Sequence, residues 1–150
     1  MHTPRDPNFE QRVRGSFAKQ AAMNTIGATL TGVAPGEVSI DLPFSTALTQ
    51  QHGFLHAGVV TTIIDSACGY AALTLMEPGT AVLSIEFKVN LLAPARGSRF
   101  RATGTVVRAG RNVTVVTGEC RAVGEGEDGA VIAIMTATMM TVRDRAGLAD

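Results

Sequence analysis

Apolar side chains recur at two different spacings in the first third of the chain. Phe9, Val13 and Phe17 follow one another at every fourth position, which predicts an amphipathic helix over residues 8–22. After that helix the period shortens to two, and residues 25–33 and 37–43 are predicted as strands. An Ala-Pro-Gly turn joins these two strands, and a polar loop follows them up to Leu55.

Residues 57–76 form a 20-residue apolar run, which is long enough to cross a bilayer. Asp65 lies near its middle, where a carboxylate would cost about 2.5–3.5 kcal/mol on insertion scales. Thr61 and Ser66 dilute the run further, and no Lys or Arg lies close to either end. We therefore interpret the run as a helix that protein covers on all sides, and that Pro78-Gly79 terminates.

The second half of the chain is predicted to contain four strands of about ten residues each. They are residues 81–92, 99–108, 112–123 and 130–142. Their connections are short and contain glycine, as in the predicted turn at 124–129, which is typical of an antiparallel meander.

The predicted element order is a helix, two strands, a long buried helix and four strands. An apolar helix needs a surface that curves around it, and a twisted six-stranded antiparallel sheet supplies one. We therefore expect an α+β fold in which the sheet wraps the long helix. No linker or repeat divides residues 1–150, so we expect one domain with frayed tails at 1–7 and 143–150.

The composition narrows the classes of function. Thirteen basic and 13 acidic residues balance, so no global field attracts nucleic acid or an anionic membrane. Cys68 and Cys120 are too few for a disulfide scaffold, and no Cys/His cluster has metal-ligand spacing. The polar N-terminus lacks the apolar core of a secretory signal. We expect a cytoplasmic protein with no metal, no cofactor, and no nucleic-acid or membrane partner.

Asp65 is the most anomalous residue, because an unpaired carboxylate is costly in an apolar helix. It is either a structural residue that bonds to backbone or to a threonine, or a functional one. The start of the same helix is a second candidate site, since the free N–H groups around Ala57 and Gly58 favour negative charge on a carbonyl oxygen. For His56 and Gln50, the alternative is helix capping and loop hydrogen bonding.

These two candidates are too far apart to act together within one chain. Asp65 lies nine residues after His56, which is about 13.5 Å along a helix and half a turn around it. A second copy of the helix, running antiparallel beside the first, would bring its own Asp65 to this helix start. If the site exists, it is shared between subunits, and a two-fold dimer makes two of them.

The helix has the sequence His-Ala-Gly at 56–58, followed after six residues by Asp-Ser-Ala-Cys-Gly-Tyr-Ala at 65–71. This pattern resembles the hotdog-fold acyl-CoA thioesterases. It is most similar to the branch typified by the phenylacetate-degradation thioesterases, with His-Gly-Gly and then an acidic residue. Gln50 falls where that branch carries Asn or Gln, and Ser84 where some members carry Ser or Thr. The resemblance covers residues 25–142 and departs at Ala57, which keeps its N–H.

The resemblance implies a hotdog fold and the hydrolysis of an acyl- or aryl-acyl-CoA thioester to a free acid and CoA. Asp65 would be the general base or the nucleophile, and Gln50 would orient the water or the thioester. The Ala57 N–H would polarise the carbonyl while His56 braces that turn, and Ser84 would hold Asp65 or the water. The implied assembly is a homodimer or homotetramer, and CoA is part of the substrate rather than a cofactor.

No acidic residue occurs between Phe87 and Gly118, whereas this segment contains several basic ones. A positive surface suits the phosphates of CoA, and the main candidates are Arg111, on a turn, and Lys88. The alternative is a solvated outer face of the sheet whose arginines pair with acidic residues such as Glu119.

We further assign Phe54 and Gly58 to the substrate-binding groove.

Two other functions stay open. A non-catalytic module that binds acyl-CoA or an acyl carrier would use the same groove, but it would gain nothing from a buried Asp65. A hotdog hydratase or dehydratase would need an Asp/His pair placed beside the substrate's α- and β-carbons. The spacing of His56 and Asp65 matches the thioesterase pattern better.

Overall fold

The computed structural model describes residues 2–124, 129–148 and 150, so part of the turn predicted at 124–129 lies outside the described residues. The helices are α1 (Phe9–Lys19), α2 (Ala21–Ile26) and α3 (Ala57–Leu73), with a 3-10 turn at Thr46–Leu48. The strands are β1 (Thr29–Ala34), β2 (Glu37–Pro43), β3 (Ala81–Leu91), β4 (Arg99–Ala109), β5 (Val113–Val123) and β6 (Val131–Val142).

The strands of the described residues form a six-stranded antiparallel sheet in the order β1-β2-β4-β5-β6-β3. Strands β4 to β6 form the predicted meander, but β3 pairs with β6 at the sheet edge and not with β4. The expectation of a four-strand meander is therefore wrong for β3. Its connection to β4, residues 92–98, is longer than common hairpin loops and crosses below the start of α3, where the Ala95 carbonyl accepts the Leu55 N–H.

Two paired glycines allow α3 to approach the middle of the sheet. Gly104 of β4 lies opposite Gly118 of β5. A Cβ at Gly104 would lie 2.5 Å from the Ala67 carbonyl oxygen, and one at Gly118 would lie 2.5 Å from Cγ2 of Ile64 and 2.7 Å from Sγ of Cys68. Larger residues at either position would push the helix off the sheet, so close packing here depends on glycine.

The N-terminal helix differs from its prediction. Gln20 has an extended backbone (φ −79°, ψ 93°) that separates α1 from α2, and α2 ends at Gly27, whose φ of 78° is left-handed. The strand predicted from residue 25 begins at Thr29, because Thr25 still belongs to α2. There the Thr25 hydroxyl donates to the Ala21 carbonyl, which satisfies the side chain inside a helix.

Arg12 joins the two ends of the chain to the loop after α3. Its guanidinium donates to the carbonyls of Glu77 and Thr80 and lies 3.6 Å from the Asp6 carboxylate. Burial lowers the pKa of Arg12, and the charges of Asp6 and Asp150 counteract that effect. Arg12 also donates to the Asp150 carbonyl. Asp6 and Asp150 are thus bound within tails that we expected to be frayed.

One side of α3 is left uncovered. Gly58 and Thr62 are exposed and Thr61, Asp65 and Ser66 are partly exposed, at spacings that place all of them on one helix face. The expectation of a helix covered on all sides is wrong for the single chain, because the sheet packs against the other side only. Among the described residues, no helix combines the length and the apolar character needed to span a membrane.

Candidate active site

Asp65 is held by a residue of the edge strand β3. The Ser84 hydroxyl donates a hydrogen bond of 2.7 Å to Oδ1 of Asp65. Within the described residues, Oδ2 of Asp65 accepts no hydrogen bond, and it is not buried. The side chain is partly exposed in the single chain rather than buried as we expected, because it lies on the uncovered face of α3. One carboxylate oxygen is therefore fixed and the other is open to a reactant.

A small polar cavity of about 140 Å³ adjoins Asp65. Beside Asp65 and Ser84 it is lined by Ser16, Gln20, Ser66, Gly69, Tyr70, Val82 and Asp150. Ser66 donates to the Gln20 side-chain oxygen at 3.2 Å, and Ser16 donates to the Asp150 carboxylate at 2.7 Å. None of these four residues was predicted to belong to the site. Ser66 could have been found as the neighbour of Asp65, whereas nothing in the sequence connects the N-terminal helices to this helix.

The start of α3 presents one free amide. His56 is the N-cap, and its Nδ1 accepts the Gly58 N–H at 2.9 Å. The prediction that the Gly58 amide is free to bind a substrate is therefore wrong. The Val59 and Val60 amides are bonded to the His56 carbonyl. The Ala57 N–H has no acceptor in the described part of the chain. It points out of the helix end, where the helix dipole favours a developing negative charge.

Gln50 and Phe54 belong to the loop that precedes α3. Together with Ala57 they line a cavity of about 460 Å³ between the loop, the first turn of α3 and the β3–β4 connection. The Gln50 side-chain oxygen accepts the His52 N–H, which leaves its amide group free to donate. The Phe54 ring is held by the Arg96 guanidinium, whose central carbon lies 4.6 Å from the ring centroid. The structure therefore brings Gln50, Phe54 and Ala57 together.

Within one chain these two groups of residues do not meet. Ala57 and Asp65 are eight residues apart on an unbroken helix, which is about 12 Å along its axis. Asp65 and Ser84 line a different cavity from Gln50 and Ala57. The separation that we predicted from helix geometry is confirmed.

Lys88 and Arg111 lie away from both groups. Lys88 pairs with Thr136, whose neighbours Met135 and Ala137 are buried under α3, so Lys88 projects from the opposite face of the sheet. The Arg111 carbonyl accepts from Arg143, which lies 3.3 Å from Glu77. Arg111 is thus at the far end of α3 from Ala57 in its own chain.

Two arginines of the predicted positive segment are paired. Arg101 makes two hydrogen bonds to the Asp41 carboxylate, at 2.7 and 2.9 Å, and Arg99 lies 3.5 Å from the same carboxylate. Asp41 is buried, with 5% of its surface exposed. These arginines therefore stabilise the sheet, as the alternative interpretation of the positive segment held, with Asp41 as the acidic partner.

The edge strand β3 carries apolar side chains that the described residues leave about half exposed. Leu83, Ile85, Phe87 and Leu91 are 42–54% exposed. Ile85 is the extra residue of a bulge, since Ser84 and Glu86 pair with the adjacent residues Met139 and Thr138. An exposed apolar edge strand is a surface that another strand can pair with.

Comparison with known proteins places this chain in a family. Residues 52–128 match the model of the Thioesterase superfamily. A crystal structure of a thioesterase family protein from Silicibacter pomeroyi is 52% identical, with a TM-score of 0.87, and the match covers 91% of this chain and 99% of that one.

Curated relatives match over part of their length. A putative esterase of Saccharolobus solfataricus is 35% identical over 54% of this chain and 57% of its own length. A medium/long-chain acyl-CoA thioesterase of Salmonella typhimurium is 32% identical over 57% of this chain and 61% of its own length. The predicted family and the hotdog fold are confirmed: the chain belongs to the thioesterase superfamily.

Proposed function

We propose that this protein hydrolyses acyl-CoA thioesters, aliphatic or aromatic, to the free acid and CoA. The observation that carries the proposal is the Asp65 carboxylate, which Ser84 holds by one oxygen while the other is open, on the uncovered face of α3. The similarity to a medium/long-chain acyl-CoA thioesterase from Salmonella typhimurium supports this reaction class.

Asp65 serves hydrolysis by one of two routes. As a general base it takes a proton from water while the water oxygen attacks the thioester carbonyl carbon, and the proton then passes to the departing sulfur. As a nucleophile it forms a mixed anhydride and releases the CoA thiolate, and water then hydrolyses the anhydride. Both routes place negative charge on the carbonyl oxygen, which the free Ala57 N–H stabilises, and the Gln50 amide orients the water or the thioester.

The reacting groups come together in a two-fold dimer. If α3 lies antiparallel to its copy with Asp65 beside the partner's helix start, the axis passes near Thr61, midway between Ala57 and Asp65. The exposed face of α3 suits such contact, because the hydroxyls of Thr61 and Thr62 are already bonded to the carbonyls of Ala57 and Gly58. The exposed apolar edge β3 extends the same interface, as a dimer or within a dimer of dimers.

The proposed dimer also determines which active site Arg111 and Lys88 lie near. Because Arg111 lies past the far end of α3 from its own Ala57, two-fold symmetry places it on the side of the other subunit's helix start, about 12 Å or more beyond that subunit's Ala57 along the helix axis. There we expect it to bind phosphate groups of CoA. Lys88, on the outer face of the sheet, would bind the nucleotide end of CoA only if that end extends around the sheet edge.

The test is release of free thiol from a series of acyl-CoA thioesters. We expect the wild-type protein to turn over at least one of them, and Asp65→Asn to lower kcat by about a hundredfold to ten-thousandfold. Glu86→Gln is the matched control, since Glu86 is a carboxylate on β3 bonded to Thr138. Equal turnover by wild type and Asp65→Asn would contradict the proposal. Binding of acyl-CoA without thiol release would favour the non-catalytic module.

A further inference from the structure

The cavity that Ala57 lines is mostly hydrocarbon. Gln50 supplies the one polar side chain among its described lining residues, whereas Leu91, Leu92 and Ile132 are among the apolar ones. None of the described residues that line it is charged. The Arg96 guanidinium lies over the Phe54 ring, 4.6 Å from its centroid, but Arg96 is not among the residues that line the cavity.

The size of the cavity sets a lower limit on the size of a ligand that would fill it. Its volume is about 460 Å³. An apolar cavity of about 150 Å³ is sufficient to bind benzene. A single aromatic ring or an acetyl group would therefore leave most of these apolar walls without contacts, and a bulkier hydrocarbon group would cover them.

Ala57, whose N–H is the proposed donor to the thioester carbonyl oxygen, is one of the residues that line this cavity, so the acyl group of a bound thioester lies within reach of it. We infer that the cavity binds the acyl group, and that the substrates are CoA thioesters of uncharged hydrocarbon acids bulkier than a single ring. This inference rests on the proposed thioesterase function. An acyl group with a terminal carboxylate is disfavoured, since none of the described residues that line the cavity in the single chain would pair with its charge.

The first experiment compares kcat/KM for decanoyl-, benzoyl-, acetyl- and succinyl-CoA. We expect decanoyl-CoA to exceed each of the others by about tenfold or more, because each buried methylene adds favourable transfer free energy. A profile that is flat, or that peaks at acetyl-, benzoyl- or succinyl-CoA, would overturn the inference while leaving the thioesterase function intact.

Filling the cavity supplies the second experiment. Ala93 lines the cavity and is exposed, so Ala93→Phe adds bulk there without opening the core. We expect this variant to lower the ratio of decanoyl-CoA to acetyl-CoA activity by about tenfold or more. Ala34→Phe, at an exposed alanine at the end of β1, is the control and should leave the ratio unchanged. An unchanged ratio in a folded Ala93→Phe protein would overturn the assignment of the cavity.

A binding measurement separates this inference from the proposed function. S-decyl-CoA and S-ethyl-CoA are thioethers that cannot be hydrolysed, and calorimetry measures their affinity for the wild-type protein whether or not it is an enzyme. We expect the affinity for S-decyl-CoA to exceed that for S-ethyl-CoA by about tenfold or more. Equal affinities would overturn the inference. Tighter binding of S-decyl-CoA without any thioester hydrolysis would contradict the proposed function but not the inference.

Discussion

The Ser84 hydroxyl donates to Oδ1 of Asp65 over 2.7 Å, and this hydrogen bond joins the edge strand β3 to the uncovered face of α3. The same hydroxyl lies 3.3 Å from the Met139 sulfur, a weak acceptor. The carboxylate therefore receives the stronger bond, which fixes its orientation. The proposed reactive oxygen, Oδ2, then accepts no hydrogen bond from the described residues and is not buried in the single chain.

Removing the Ser84 hydroxyl should impair chemistry more than binding. Hydrogen bonds to charged groups contribute about 1.5–3 kcal/mol, so we expect Ser84→Ala to lower kcat by about tenfold to a hundredfold. KM should change little, because Ser84 does not line the cavity proposed for the acyl group. Ser84→Thr keeps the hydroxyl and should recover most of the activity. Steady-state kinetics check this, and a Thr variant as impaired as the Ala variant would count against a hydrogen-bonding role.

Ala57→Pro removes the proposed oxyanion donor without disturbing the helix. Ala57 is the first residue of α3, where proline is favoured, and its N–H has no acceptor to lose among the described residues. His56 already has φ −63° and ψ 136°, a conformation favoured before proline. We expect normal thermal unfolding with kcat reduced by about a hundredfold or more.

Ala57→Gly is the control for that substitution, because it retains the N–H and matches the residue usual in the resembling thioesterase branch. Its kcat should stay close to that of wild type. Full activity in Ala57→Pro, measured by thiol release, would show that another group stabilises the carbonyl oxygen.

A charged side chain at the β3 edge should both dissociate the subunits and abolish turnover. Ile85 is half exposed and sits at a bulge, so Ile85→Arg costs the single chain little. We expect light scattering to show monomers that no longer release thiol. Val107→Arg is the matched control, since Val107 is 59% exposed and sits at a bulge in β4. Active monomers of Ile85→Arg would be incompatible with a site shared between subunits.

The two cysteines should make the fold sensitive to alkali. Burial raises the pKa of the Cys68 thiol from 9.0 to about 12, and that of Cys120 likewise. Unfolded thiols lose their protons near pH 9 while the folded ones stay protonated, so stability falls as pH rises from 9 toward 12. Urea unfolding at several pH values should show a constant midpoint below pH 9 and a decline above it. Cys68→Ala should have a shallower decline, and an identical slope would refute this origin.

Much of the fold follows from local patterns in the sequence. The pattern of the second half predicts the boundaries of β3 to β6 within one residue. The apolar run at 57–76 predicts α3 and its first residue, although the helix ends three residues earlier, at Leu73. The partner of β3 could not be derived this way, because its pairing with β6 depends on long-range packing around α3. The break at Gln20 was also missed, since Phe9, Val13 and Phe17 continue the same spacing up to it.

In the candidate site, too, residues with a local sequence signal could be predicted, and residues brought in by tertiary packing could not. Asp65 stands out because a carboxylate interrupts apolar residues, and helix geometry alone separates it from Ala57. The lining by Ser16 and Gln20 could not be predicted, because no local signal indicates that α1 folds against this part of α3. Exposure of Asp65 was misjudged for a related reason: hydrophobicity averaged along a helix does not tell which face the sheet leaves open.

Mixing two inactive variants tests the shared site most directly. Asp65→Asn and Ala57→Pro are combined in equal amounts under conditions that exchange subunits, and thiol release is followed. Hybrid dimers then contain one site with an intact Asp65 and an intact helix start, so activity should recover to about a quarter of wild type. If the hybrids form and remain as inactive as the separate variants, Asp65 and Ala57 do not act across the interface.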